Sequence, residues 1–91
     1  MTKKTQAHSK KYGGELTKWS IHNLSSGLKV MTAVVVSDPL NRWEEGWTMR
    51  SSPVLNIDRE KGIIETLNTI YSVDDNEIKE DYGDLVKHIY F

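Results

Sequence analysis

DDNEIKEDYGDLVKHIYF, Asp74 to Phe91, is the stretch that settles the fold class, because it is the only part of the chain with a helical signature. Ile78, Tyr82, Leu85, Val86 and Ile89 stand at i, i+4, i+7, i+8 and i+11, which is one apolar stripe of a helix. Asp74 followed three residues on by Glu77 is a capping pair, and acids in a first turn suit the helix dipole. The spacing therefore predicts a helix over residues 77–90. Gly83 interrupts it at a cost of about 1 kcal/mol relative to alanine, so a break there, with residues 84–90 as a last strand, is the alternative.

Upstream, the pattern is that of strands. Ile63 to Val73, IIETLNTIYSV, is rich in β-branched and aromatic residues and reads as one long strand. Asp58-Arg59-Glu60-Lys61-Gly62 joins it to Val54-Leu55-Asn56-Ile57 as a hairpin, with Gly62 free to take positive φ. Trp47, Met49 and Ser51 alternate with Thr48 and Arg50 in a short strand that ends at Pro53. Leu28, Val30, Val34 and Val36 share one parity and Met31, Ala33 and Val35 the other, so this segment is expected to be central and covered on both faces. It pairs antiparallel, across Ser25-Ser26-Gly27, with a strand from Leu16 that carries Trp19 and Ile21. Asp38-Pro39 stops it. The expected class is α+β: a small antiparallel β-sheet or partly closed barrel of about five strands with a C-terminal helix across it.

Ninety-one residues allow one domain. Seven Ile, seven Val, seven Leu and Phe91 are enough for a thin core. The division expected is a flexible basic N-terminal arm, residues 1–14, with Lys3, Lys4, Lys10 and Lys11 and no acid, followed by a single domain over 15–91. The formal net charge of -1 lacks the footprint of a general nucleic-acid binder. It is a cancellation between that arm and an acidic stretch from Asp74 to Lys87, where six acids face two lysines. The absence of cysteine excludes a disulfide scaffold, a thiolate zinc site and a thiol nucleophile. The longest apolar run is Ala33 to Val36, far short of the roughly 20 residues of a membrane helix. A soluble, cytoplasmic protein is expected.

Catalytic templates fail on spacing. The glycines fit neither a dinucleotide fingerprint nor a phosphate loop. His8, His22 and His88 are isolated, so no metal site is expected. Asn56, Asp58 and Glu60 begin a calcium-loop pattern, but Lys61 replaces its glycine and Leu67 its last ligand. Glu44-Glu45 and Asp74-Asp75 are adjacent carboxylates that diverge, not a pair facing across a cleft. No catalytic residue and no cofactor is assigned, and a non-enzyme is expected. The unusual feature is Arg42-Trp43-Glu44-Glu45-Gly46-Trp47 with Arg50 close behind. Tryptophans bracketing charges on a loop have the composition of a contact surface. Arg42, Trp43, Glu44, Glu45, Trp47 and Arg50 are the candidate binding residues, and the arginines with Trp43, if exposed together, make an anion-and-aromatic patch.

Gly46-Trp47-Thr48-Met49-Arg50-Ser51-Ser52-Pro53-Val54, then Asp58, then Gly62-Ile63-Ile64-Glu65-Thr66-Leu67-Asn68-Thr69-Ile70-Tyr71, resembles small uncharacterised proteins encoded by phages and mobile elements, which carry a similar G…TSPV…D…G-x-x-ET-x-N-x-x-Y stretch. The resemblance covers residues 46–71, and Arg50-Ser51 departs from the Arg-Thr of those proteins. It implies a setting and no activity. The leading expectation is a non-enzymatic accessory module that occupies a protein partner, in that setting an inhibitor of a host factor or defence system. A nucleotide binder or sponge at an oligomer interface is the second reading, and weak nucleic-acid binding through the arm the third. The basic head and acidic tail also allow self-association, with a homodimer as its simplest form.

Overall fold

The structure is a computed structural model and describes residues 10–88. Six strands form one mixed sheet: β1 (Lys11–Asn23), β2 (Lys29–Ser37), β3 (Thr48–Arg50), β4 (Val54–Asp58), β5 (Ile63–Thr66) and β6 (Thr69–Val73), followed by a 3-10 helix, Gly83–His88. The order across the sheet is β3-β2-β1-β6-β5-β4. Its edge strands, β3 and β4, are joined by only Ser51, Ser52 and Pro53, so the sheet must curl to bring its two edges together, and β2 touches β4. Leu16, Trp19, Met31, Ala33, Val35, Met49, Ile64 and Tyr71 fill the inside of the curl.

The β1–β2 hairpin forms as expected, with Ile21 opposite Met31 and Asn23 opposite Lys29. A bulge in β1 shapes everything else. Lys18 and Trp19 stand opposite the single residue Ala33, with Lys18 at φ 48°. The extra residue switches the parity of the strand, so Leu16 before it and Trp19 after it both point inward. Ser20 and His22 are thereby turned to the other face, where both are buried.

Three expectations are corrected. The sheet is mixed, not antiparallel: β6 runs parallel to β1, pairing Lys11 with Thr69 and Leu16 with Val73. The stretch 63–73 is two strands, giving six in all, because Leu67-Asn68 turn the chain back on itself. Thr66 closes that turn, its Oγ1 accepting from Thr69 N at 3.1 Å and donating to Thr69 O at 2.9 Å.

The third correction concerns class. There is no α-helix among the described residues, and the fold is not α+β. Residues 74–82 instead run as an extended strap beside the second half of β1. Trp19 N donates to Asn76 O at 3.1 Å and Ile78 N to Trp19 O at 2.7 Å, the ladder of a parallel bridge at Glu77. Asp74 spends its carboxylate on Asn76 N two residues on and on Thr17 Oγ1, and Glu77 spends its own on Arg59, so neither caps a helix. Gly83 at φ 54° ends the strap, and one 3-10 turn follows in place of the alternative last strand. Ile89, the end of the expected stripe, lies outside the described residues, as do residues 1–9 of the expected arm. Lys11 to Gly14 of that arm belong to β1.

Candidate functional site

The loop between β2 and β3 is built around the carboxylate of Asp38. That group is 1% exposed and accepts three backbone N–H bonds, from Leu40 at 3.0 Å, Arg42 at 2.6 Å and Trp43 at 2.9 Å. Burial pushes its acidity toward the neutral form, but the bonds from Trp43 N, the Arg42 side chain and the other amides outweigh that and hold its pKa below the ordinary value. The Arg42 guanidinium completes the unit. It lies 3.9 Å over the Trp43 ring and 5.6 Å from the Tyr71 ring, donates to Asp38, and reaches Tyr71 Oη at 3.3 Å and Gly13 O at 3.2 Å. Trp43 is half-buried and packs on the core.

The tip of the loop is tied to β2 by Gly46 N donating to Val35 O and Val35 N to Trp47 O, both at 2.8 Å. A turn from Glu44 to Trp47, with Gly46 at φ 91°, leaves Glu44 and Glu45 exposed and Trp47 48% exposed. Of the six residues expected at a site, the structure brings five together on this loop. Arg50 is not among them. It pairs with Thr32 on β2, which pairs with Ser20 on β1, whereas Arg42 reaches Gly13, seven residues along β1, or about 20 Å of strand. The two arginines therefore do not form one patch. The Nε of Arg50 is buried without a hydrogen-bond partner among the described residues. Sequence reasoning missed Asp38, Tyr71 and Gly13, which hold the loop; the usable signal was Asp38 and Arg42 at i, i+4.

A second polar cluster lies under the strap. The His22 ring is fully buried; its Nδ1 accepts from Tyr82 N at 2.9 Å and its Nε2 bonds Thr32 Oγ1 at 2.8 Å, while the Tyr82 ring stacks at 5.4 Å. Asp81 stands 3.9 Å from Nδ1 and caps Asn23 and Gly83. Asp81, His22 and Thr32 in a row suggest an orienting carboxylate, a base and a nucleophile. The proton is in the wrong place for that: a backbone N–H donated to Nδ1 leaves the ring hydrogen on Nε2, so His22 donates to Thr32 and has no lone pair with which to take its proton. Burial lowers the His22 pKa, with the charges of Asp81 and Glu80 opposing.

Among the described residues no three side chains of His, Asp or Glu converge as metal ligands, and no helix is long and apolar enough to cross a membrane. Comparison with protein-family models, with curated proteins and with solved structures finds no match to this chain.

Proposed function

We propose that the protein is a non-enzymatic binding module, working in the cytoplasm, that occupies a protein partner through the tip of the β2–β3 loop. In the phage or mobile-element setting suggested by residues 46–71, the partner would be a host factor or defence component and the effect inhibition. The observation that supports this reading is the rigid presentation of Trp47. A large aromatic is held half exposed, beside Glu44 and Glu45, on a loop already ordered by Asp38, Arg42 and Tyr71. Such a loop loses little entropy on docking, and exposed tryptophan on a fixed frame is the usual anchor of an interface. The two carboxylates favour a partner surface that offers lysine or arginine around an apolar notch.

Support for an anionic small ligand is weaker, because every group of the Arg42 guanidinium already has a partner and Arg50, on β3, lies well away from it along the sheet. The nucleic-acid reading rests on four lysines, of which Lys10 pairs with Glu65. Trp47→Ala tests the proposal, since a side chain this exposed is dispensable for folding. Affinity capture from host lysate, quantified by mass spectrometry, should recover the partner with the wild-type chain and lose roughly thirtyfold in affinity with the variant. Equal recovery by a folded Trp47→Ala protein overturns the reading.

A further inference from the structure

We infer that the free edge of β4 is a second binding surface, which accepts an extended peptide segment carrying a carboxylate as an added strand. The sheet curls but does not seal. Between the tip of the β1–β2 hairpin and β4 it leaves a groove of about 290 Å³, walled by Leu28 and Lys29 on one side and by Val54, Leu55 and Ile57 on the other. Leu28 is 50% and Leu55 56% exposed.

The backbone of both walls is set for a strand. Leu67 N donates to Pro53 O, so the odd-numbered residues of β5 direct their amides at β4, and their partners Asp58 and Asn56 answer them. Alternation then turns the N–H and C=O of Ile57, between them, away from β5 into the groove. On β2, Ser51 N donates to Met31 O, which places Lys29, of the same parity, with its amide groups on the groove side. Such an edge is a template for another extended chain.

Charge and size choose the occupant. Lys29 is the one charged side chain lining this groove, and no hydrogen bond or ion pair among the described residues engages it. An incoming strand is therefore favoured if it carries an acid flanked by apolar residues. β4 has five residues and a register shift between Val54 and Asn56, which leaves only Asn56 to Asp58 regular. So short an edge falls well below the roughly 800 Å² per partner of a standard interface, which points to a peptide segment and not to a second copy of the chain.

The test uses the full chain, labelled with 15N, and a capped hexapeptide that alternates valine and threonine around one glutamate. The expected result is amide shifts at Lys29 and from Leu55 to Ile57. Binding should fall about threefold to fivefold when lysine replaces the glutamate, and vanish when the peptide backbone is N-methylated. Trp47→Ala should leave the titration unchanged, which separates this surface from the loop. The inference is overturned if those amides do not shift at millimolar peptide, if the N-methylated peptide binds equally well, or if the mass doubles with concentration and the same amides report that doubling.

Discussion

Asp38 shows how much one side chain can organise. Its carboxylate is the acceptor for three consecutive-turn amides and the counter-charge of Arg42, and it does this at 1% exposure. Removing it strands those donors and leaves the guanidinium on Trp43 without its counter-charge, so Asp38→Ala should cost about 2 to 3 kcal/mol and lower Tm by roughly 10 to 15 °C. It should also speed exchange at the Leu40, Arg42 and Trp43 amides. A variant as stable as wild type, with those amides still protected, would refute the hub. In the sequence, Asp38 announces only that a strand ends before Pro39. The Arg42 that it holds reaches Tyr71 and Gly13, each 29 residues away in opposite directions, and no local pattern encodes that meeting. The unusual composition of Trp43 to Trp47 was legible; the frame beneath it was not. The roles of the two tryptophans also divide in a way that spacing cannot show, Trp43 resting on the core and Trp47 facing out.

At the scale of elements, the strap is where local preference and tertiary pairing part company. Ile78, Tyr82, Leu85 and Val86 fit a helical stripe, yet the backbone groups of Trp19 lie outside the pairings of β1 with β2 and β6, and a chain leaving β6 parallel to β1 arrives beside them and takes them up. Backbone pairing with β1 wins over a helix already weakened by Gly83. Strands with local partners were legible: alternation and a Ser-Ser-Gly turn suffice for β1 and β2. The parallel contact of β1 with β6 was not, since it joins residues almost 60 apart. Nor was the bulge at Lys18 and Trp19, although it decides which face His22 takes. His22 is the latch between strap and sheet, and its behaviour with pH has a definite sign. Burial lowers its pKa from the ordinary 6.5, with Asp81 and Glu80 opposing, so the stabilising neutral form is fully present above pH 6.5. As pH falls below that value the unfolded chain takes up the proton first and stability is lost. A protonated Nδ1 can no longer accept from Tyr82 N. Exchange at the Tyr82 amide, corrected for intrinsic rate, should accelerate as pH drops below 6.5, and His22→Gln should remove the step. A pH-independent protection factor in the wild type would contradict the latch.

Across the whole molecule, a curled sheet with adjacent edges needs few contacts to hold its open side, and the ion pair of Arg59 with Glu77 is one of them. It joins the β4–β5 turn to the strap through two bonds of 2.9 Å, and Lys79 adds a third contact at 3.2 Å. The Arg59 hydrogen bonds, against a burial that opposes them and with help from Lys79, bring the Glu77 pKa from 4.5 down to about 2. A depressed carboxyl stabilises above its unfolded pKa and loses that contribution as pH falls. Stability against urea should therefore decline between pH 4.5 and about 2, and Glu77→Gln should flatten the decline. An unchanged slope in the variant would remove Glu77 from the account. The fold so held offers two faces of different kinds, a preformed aromatic loop at one end and an unsealed strand edge at the other. The claim that the loop is the partner-binding surface is tested most directly by hydrogen exchange on the purified complex with the captured partner. The account predicts added protection from Glu44 to Thr48 relative to the free chain; protection elsewhere, with these amides exchanging as before, would contradict it.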